Sequence, residues 1–357
     1  MPLTQGNDMT HDTSKFRTFL VATATVTATV LALAACGSDT GGDTSTAASG
    51  GGDAKVAAVI KGLDNPFFQA MEDGIQDTAK EASVPVSIQA AADVGDTTGQ
   101  ADKLSALAGQ GYGCYVINPI TGSNLIQALA PIASAGTPIV NIDSPLDADA
   151  AAAANVKPVT YVGTDNGAAG GKAGDFVLDN VDAGAQVAII GGVSGDVTSG
   201  ARVDGFKEAV GDKLDVIQEE AADWKRDVAL TKATDIIAAN PDVKAFFAAN
   251  DDMGLGIVKA VENAGKTGQI VVVSVDGNKD ALQSVLDGGL SATVAQYPYA
   301  IGELGLQACQ VALAGKDVPA EIESPTALVT KDNAQQASDA FPQPFEDFEN
   351  PLTSLLG

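Results

Sequence analysis

From Lys55 onward, short apolar runs alternate with longer amphipathic stretches, the signature of repeated βα units. The runs predict strands at Val56–Ile60, Val84–Gln89, Tyr112–Ile117, Pro138–Ile142, Val159–Val162, Gln186–Ile190, Leu214–Glu219, Ala245–Ala248, Ile270–Val275 and Ala292–Ala295. Several are apolar and β-branched at successive positions, as strands buried on both faces of a parallel sheet must be. Between them the 3.6-residue period predicts helices such as Phe67–Ala82, Gly167–Val181, Ala229–Ala239 and Leu255–Ala264. Ten strands overfill one doubly wound sheet, so the expectation is an α/β fold of two doubly wound lobes.

The amino end follows a different pattern. Lys15 and Arg17 precede an uncharged stretch, Thr18 to Ala35, that ends in Leu33-Ala34-Ala35-Cys36 before Gly37. A basic n-region followed by an apolar h-region is a secretory signal. A transmembrane helix is the competing reading, but the stretch is short and diluted by Thr. Residues 37–54 are small and polar and read as a flexible linker.

Composition narrows the chemistry. The chain has 357 residues, with 20 Lys+Arg against 46 Asp+Glu, a formal charge of −26. Such acidity repels phosphate and argues against nucleic acid as a partner. The one His is His11, which leaves the body of the chain without an imidazole for a catalytic triad or a His-ligated metal. No catalytic residue, metal or cofactor is expected. Cys114 and Cys309 belong to no CxxC pair. Cys114 lies in an apolar run and Cys309 in a helical stretch, so buried free thiols are the favoured reading, with a disulfide open to an exported protein.

Polar and aromatic residues gather where the strands end, the place where open α/β sheets bind ligands. They include Lys61, Asn65, Phe67 and Phe68 after the first strand and Asp143 after the fourth. Arg202 lies in the stretch after the sixth, Trp224 follows the seventh and Asn250 the eighth. Asp276 and Gln296 follow the last two. Carboxylates, amides and a guanidinium bridge adjacent hydroxyls, and aromatic faces cover the C–H faces of a sugar ring. The set therefore points to a polyhydroxylated ligand. Simpler duties compete: Asp64-Asn65-Pro66 could be only a helix cap, as could Asn250-Asp251, and Lys61 could snorkel. Asn166 to Ala173 imitates a phosphate loop but lacks its first Gly and its Ser/Thr. It reads instead as a helix of small residues made for close packing.

These residues bring a family into view. Asp64-Asn65-Pro66-Phe67-Phe68, Ile117-Asn118-Pro119, Thr164-Asp165-Asn166, Ala222-Asp223-Trp224, Ala249-Asn250-Asp251, Val275-Asp276-Gly277 and Thr293-Val294-Ala295-Gln296 resemble, in order, the motifs of periplasmic sugar-binding proteins of ABC transporters. The likeness, to ribose- and allose-binding members, runs from about Lys55 to Lys331, and Leu33–Cys36 resembles the lipobox of bacterial lipoproteins. It implies a type I periplasmic binding protein fold with three hinge crossings near Thr164-Asp165, Gln296-Tyr297 and Pro325. The expected divisions are a signal peptide over 1–36 with Cys36 lipidated, the linker over 37–54, an N-terminal lobe of 55–163 plus 298–325, and a C-terminal lobe and tail of 164–297 plus 326–357.

The resemblance also implies a ligand site of Lys61, Asn65, Phe67, Phe68, Asp143, Arg202, Trp224, Asn250, Asp276 and Gln296, with Phe68 and Trp224 sandwiching the ring. Lys61 matches the Lys of allose-type proteins where ribose binders have Ser, and Ser144 stands where ribose binders carry an Arg. Those departures favour a hexose or polyol over ribose. The implied role is a monomeric, lipid-anchored, extracytoplasmic receptor that passes a monosaccharide or sugar alcohol to an ABC permease and ATPase. The competing roles are a sensory receptor serving a membrane kinase or chemoreceptor, and a glycosidase using paired carboxylates such as Asp143 and Asp276.

Overall fold

The computed structural model describes residues 54–357; the signal sequence, Cys36 and nearly all of the linker lie outside them. The first lobe is built from β1 (Val56–Ile60), α1 (Pro66–Glu81), β2 (Val86–Ala90), α2 (Thr97–Leu107), β3 (Cys114–Ile117), α3 (Ile126–Ser134), β4 (Ile139–Ile142), α4 (Ala148–Ala153) and β5 (Thr160–Thr164). The chain then passes into the second lobe. That lobe holds α5 (Asn166–Asn180), β6 (Gln186–Gly191), α6 (Val197–Val210), β7 (Asp215–Ala221), α7 (Arg226–Ala239), β8 (Ala245–Ala248), α8 (Asp251–Asn263), β9 (Val271–Asp276), α9 (Lys279–Asp287) and β10 (Ala292–Ala295). It returns for α10 (Pro298–Leu313) and β11 (Glu321–Ser324), crosses again for β12 (Ala327–Thr330) and α11 (Ala334–Ala340), and ends at α12 (Thr353–Leu356).

The sheets run β11-β5-β4-β3-β1-β2 and β12-β10-β9-β8-β6-β7. Their pairings are parallel except β10 with β12. Strand order reverses at β1 and at β6, so each lobe opens a crevice at the carboxyl ends of its central strands. Every residue of β1, β3, β4 and β8 is buried, as the unbroken apolar runs require. Among the described residues no helix is long and apolar enough to cross a membrane.

Three expectations need correction. The chain adds β11 and β12, edge strands of only four residues whose alternating burial leaves no continuous apolar run to detect. Cys114 and Cys309 are joined in a disulfide, their Cα atoms 5.8 Å apart, rather than being free thiols. The pairing arises because α10 lies over β3, which a separation of 195 residues conceals. The tail, expected to stay with the C-terminal lobe, does so only as far as Phe345, which packs against that lobe's core and also beside Tyr297, Ala300 and Ala327 at the crossing. Beyond it, Phe348, Leu352 and Leu355 pack on the N-terminal lobe's core. Lys316 Nζ donates to the Leu355 and Gly357 carbonyls at 2.6 and 3.1 Å. Apolar side chains after a Pro-rich turn seek the nearest uncovered apolar surface, which here belongs to α10.

Candidate functional site

On the N-terminal side, the chain leaves β1 at Lys61 and re-enters a helix through Asn65. Asn65 Oδ1 accepts from Phe67 N at 2.9 Å and caps α1, whose first residue is Pro66, an arrangement that suits the first turn. The cap consumes the oxygen and leaves the amide N–H groups without a protein partner among the described residues. Phe67 and Phe68 meet edge to face, ring centroids 5.2 Å apart, and both also pack in the lobe's core. Asp143 follows β4 at φ +60°, a conformation rare for a non-glycine residue. Its carbonyl accepts from Tyr161 Oη at 2.6 Å. Lys61 Nζ lies 3.4 Å from Asp143 Oδ2 and 5.2 Å from the centre of the Phe68 ring.

On the C-terminal side, α5 and α6 touch through glycines. A Cβ on Gly170 would come 2.0 Å from the Arg202 carbonyl, and one on Gly205 2.0 Å from that of Gly167. The small-residue helix read from Asn166 onward is thus what lets α6 approach and brings Arg202 to the cleft. Arg202 is fixed there: Nε donates to Asn166 Oδ1 at 2.8 Å, and Nη1 to the Ala249 carbonyl at 2.7 Å and to Asp276 Oδ1 at 3.2 Å. Asn250 Oδ1 caps α8 by accepting from Met253 N at 2.9 Å. Its amide, like that of Asn65, is left over. Trp224 and Asp223 sit at φ +61° and +53°, and the indole lies so close to Gly192 that a Cβ there would be 2.2 Å from Cε2.

These residues surround one cavity of about 340 Å³ between the lobes, lined by Lys61, Asn65, Phe67, Phe68, Asp143, Arg202, Trp224, Asn250 and Asp276. Of the ten residues expected, Gln296 is the exception. It lies behind the wall and donates from Nε2 to Asp276 Oδ1 at 2.8 Å. Sequence reasoning also passed over Asn166 and Gly192, which support Arg202 and Trp224. Their partners are distant in sequence, so no local signal marks them. Val193 and Val197, largely exposed, border the cavity as well.

The two cations that line the cleft are each paired with a carboxylate, Lys61 with Asp143 and Arg202 with Asp276, and a third carboxylate, Asp196, also lines it. Asp276, 5% exposed, is pushed well above the usual aspartate range by burial, with Arg202 opposing and Asp251, Asp252 and Asp143 adding to the rise. Chemically, the cavity offers paired hydrogen-bond donors and acceptors beside aromatic faces. Among the described residues, no group of three His, Cys, Asp or Glu side chains is placed to hold a metal.

A family model described as a periplasmic binding protein domain matches residues 56–317. The chain is 38% identical over 257 residues, 71% of its length and 83% of the relative's, to the D-allose-binding periplasmic protein of Escherichia coli. It is 36% identical over 276 residues, 77% of its length and 87% of the relative's, to the ribose import binding protein of Bacillus subtilis. Among solved structures, an ABC transporter periplasmic solute binding protein from Actinobacillus succinogenes with bound D-allose superposes with a TM-score of 0.75. That match has 27% identity and covers 79% of this chain and 99% of the other.

Proposed function

The chain belongs to the periplasmic binding protein family, and from that premise we propose that it is the extracytoplasmic receptor of an ABC importer, closing its two lobes on a neutral monosaccharide or small sugar alcohol. The observation that carries this reading is the cleft itself. The Lys61–Asp143 pair belongs to one lobe and the Arg202–Asp276 pair to the other, and both line the same cavity. Both cations are already paired with carboxylates, which leaves no free positive charge for an anion and favours an uncharged ligand, and charge-assisted hydrogen bonds from both lobes suit vicinal hydroxyls. A ligand that touches both lobes stabilises the closed form, and periplasmic binding proteins are themselves a standard example of such hinge closure.

In this reading Asn65 and Asn250 donate amide N–H groups, Arg202 donates from its fork, and Asp143 and Asp276 accept from hydroxyls. Phe68 and Trp224 cover the ring, with Phe67 backing Phe68, and Gln296 orients Asp276. Lys61 in place of Ser, and Ser144 in place of Arg, favour a hexose of the allose type over ribose. The relatives are themselves named for D-allose and for ribose import, which supports import as the role. Lipidation at Cys36 would tether the protein to the membrane beside its permease and ATPase, and a monomer suffices for that task. No bond is made or broken.

The test is a titration of Trp224 fluorescence, the chain's single indole, with D-allose, D-ribose, D-xylose, D-galactose, inositol and small polyols. A saturable change with one of them, without consumption of the sugar, is expected. Silence from all of them, together with no rise in melting temperature, would end the carbohydrate reading.

A further inference from the structure

Asp251 carries a carboxylate that the cleft does not use. It is fully shielded from solvent, follows Asn250 at the start of α8, and does not line the cavity. Among the described residues no cation is bonded to it. Its oxygens are instead held by three donors: Ser274 Oγ at 2.6 Å and Thr293 Oγ1 at 2.7 Å on Oδ1, and Asn278 N at 2.7 Å on Oδ2. Thr293 Oγ1 in turn accepts from Gly277 N at 3.3 Å.

Those partners bracket one turn. Ser274 precedes Asp276 by two residues on β9, Gly277 and Asn278 follow it, and Thr293 stands on the neighbouring strand β10. Within the turn, Asp276 has φ +140° and Gly277 φ +75°. An aspartate is strained in that region and stays there only where the surroundings enforce it. At Gly277 a side chain is excluded outright, since a Cβ would lie 2.5 Å from that of Ala295. The turn's two amide groups, Gly277 N and Asn278 N, are the ones tied to Thr293 and Asp251. Meanwhile Arg202 and Gln296 both occupy Asp276 Oδ1, so Oδ2 has no protein partner among the described residues.

We propose that Asp251 is a positioning residue for ligand binding: through Thr293 and the Gly277 and Asn278 amides it holds the Asp276 turn so that the remaining Asp276 oxygen is presented to the ligand. This rests on the reading of the cleft as a sugar site. Burying an unpaired carboxylate is costly, and three hydrogen bonds offset that cost. Its charge also acts on Asp276. Asp251, Asp252 and Asp143 face Asp276 and raise its proton affinity, while Arg202 lowers it.

The experiment uses the full chain, with D-allose, D-ribose and D-galactose as probes. Thr293→Val cuts the link from Asp251 to Gly277 without changing side-chain shape, and Thr293→Ser restores the hydroxyl. Thr293→Val is expected to raise Kd at least fivefold and Thr293→Ser to bind within twofold of the unaltered protein. Asp251→Asn is expected to raise Kd and to move the midpoint of the binding pH profile downward, which a purely structural role would not do. A crystal structure of unliganded Thr293→Val should show the Asp276–Gly277 turn departing from its present φ values. Undiminished affinity in Thr293→Val, no rescue by Thr293→Ser, or an unchanged turn would overturn the proposal. If the unaltered protein binds none of the probes, the sugar reading is what fails, and the crystal structure of the variant still decides the role of Asp251.

Discussion

Lys61 Nζ donates to Ser144 Oγ at 2.6 Å, joining the ends of β1 and β4 across the intervening β3. Ser144 Oγ lies 3.2 Å from Asp143 Oδ2, so ammonium, hydroxyl and carboxylate form one cluster. The two positions at which the chain departs from the ribose-binding pattern are therefore partners. Where that pattern has Ser and Arg, this chain has Lys and Ser, and the positive charge has moved from one strand end to another.

An exchange at both positions should follow this coupling. Lys61→Ser alone leaves Asp143 without its cation and should weaken sugar binding about tenfold or more, since hydrogen bonds to charged groups contribute about 1.5–3 kcal/mol. Lys61→Ser with Ser144→Arg should recover part of that loss and shift preference toward ribose. Calorimetric titration of all three variants with D-allose and D-ribose checks this. Independent, additive effects of the two substitutions would show that the residues are not coupled.

Gly192 gives a way to move Trp224 without replacing it. A methyl at Gly192 would overlap the indole, so Gly192→Ala should displace the ring from the cleft. The emission of the unliganded protein should change, and sugar affinity should fall by about 1 kcal/mol or more if the ring stacks on the ligand. Altered emission with unaltered affinity would remove Trp224 from the binding surface.

The buried carboxylates set a pH dependence whose sign is fixed. Burial raises both Asp276 and Asp251 above the ordinary 3.8, so above that value the folded state binds more protons than the unfolded one. Stability from these groups is complete below about pH 4 and falls as pH rises through their raised values. Melting temperature of the ligand-free protein should decline from pH 5 to pH 8, and Asp276→Asn should flatten the decline. Binding should run the other way. A hydroxyl donated to Asp276 favours the carboxylate, so affinity should increase over the same range. A flat binding profile would exclude Asp276 as an acceptor.

Much of this site was legible because strand ends are where a polar residue has least packing to do. Lys61, Asp143 and Asp276 each follow an apolar run, and their position marks them. Asn65 and Asn250 show why two readings of one residue need not compete: each commits its oxygen to a helix cap and keeps its amide for the cleft. Support residues were harder to find. Gly192 matters only because a ring from another strand end lies on it, and Asn166 only because Arg202 donates to it from another helix. The edge strands and the tail's return were hidden for another reason. Four residues with alternating burial, or three apolar side chains scattered over eight positions, carry too little period to be seen.

The Cys114–Cys309 disulfide should stabilise the fold without touching the site. Cys114 opens β3, at the end opposite the crevice. Closing a loop of 195 residues limits the unfolded chain by about 5 kcal/mol in the chain-entropy model. Reduction should therefore lower the melting temperature by several degrees and leave Kd unchanged at temperatures where the protein stays folded. A change in Kd of more than about twofold would mean that the bond also sets the cleft.

The tail should bias the hinge. Besides the crossings at Asp165, Gln296–Tyr297 and Pro325–Thr326, residues 341–357 connect the lobes again. Phe345 contacts the second lobe's core beside Tyr297, while Leu352, fully buried, sits in the first lobe's core. Asn350 Nδ2 also donates to Gln307 Oε1 on α10 at 2.7 Å. A rotation wide enough to draw Phe345 from Leu352 works against this strap, and removing a buried Leu side chain costs about 2–5 kcal/mol. Ending the chain after Gln343 should therefore free wider openings, increasing the radius of gyration of the ligand-free protein in X-ray scattering. Ligand selects the closed state, so a smaller closed fraction lowers apparent affinity by that fraction, about threefold to tenfold for a strap of this size. Leu352→Ala should act in the same direction and more weakly. If truncation leaves both scattering and Kd as they were, the tail covers apolar surface and does not restrain the hinge.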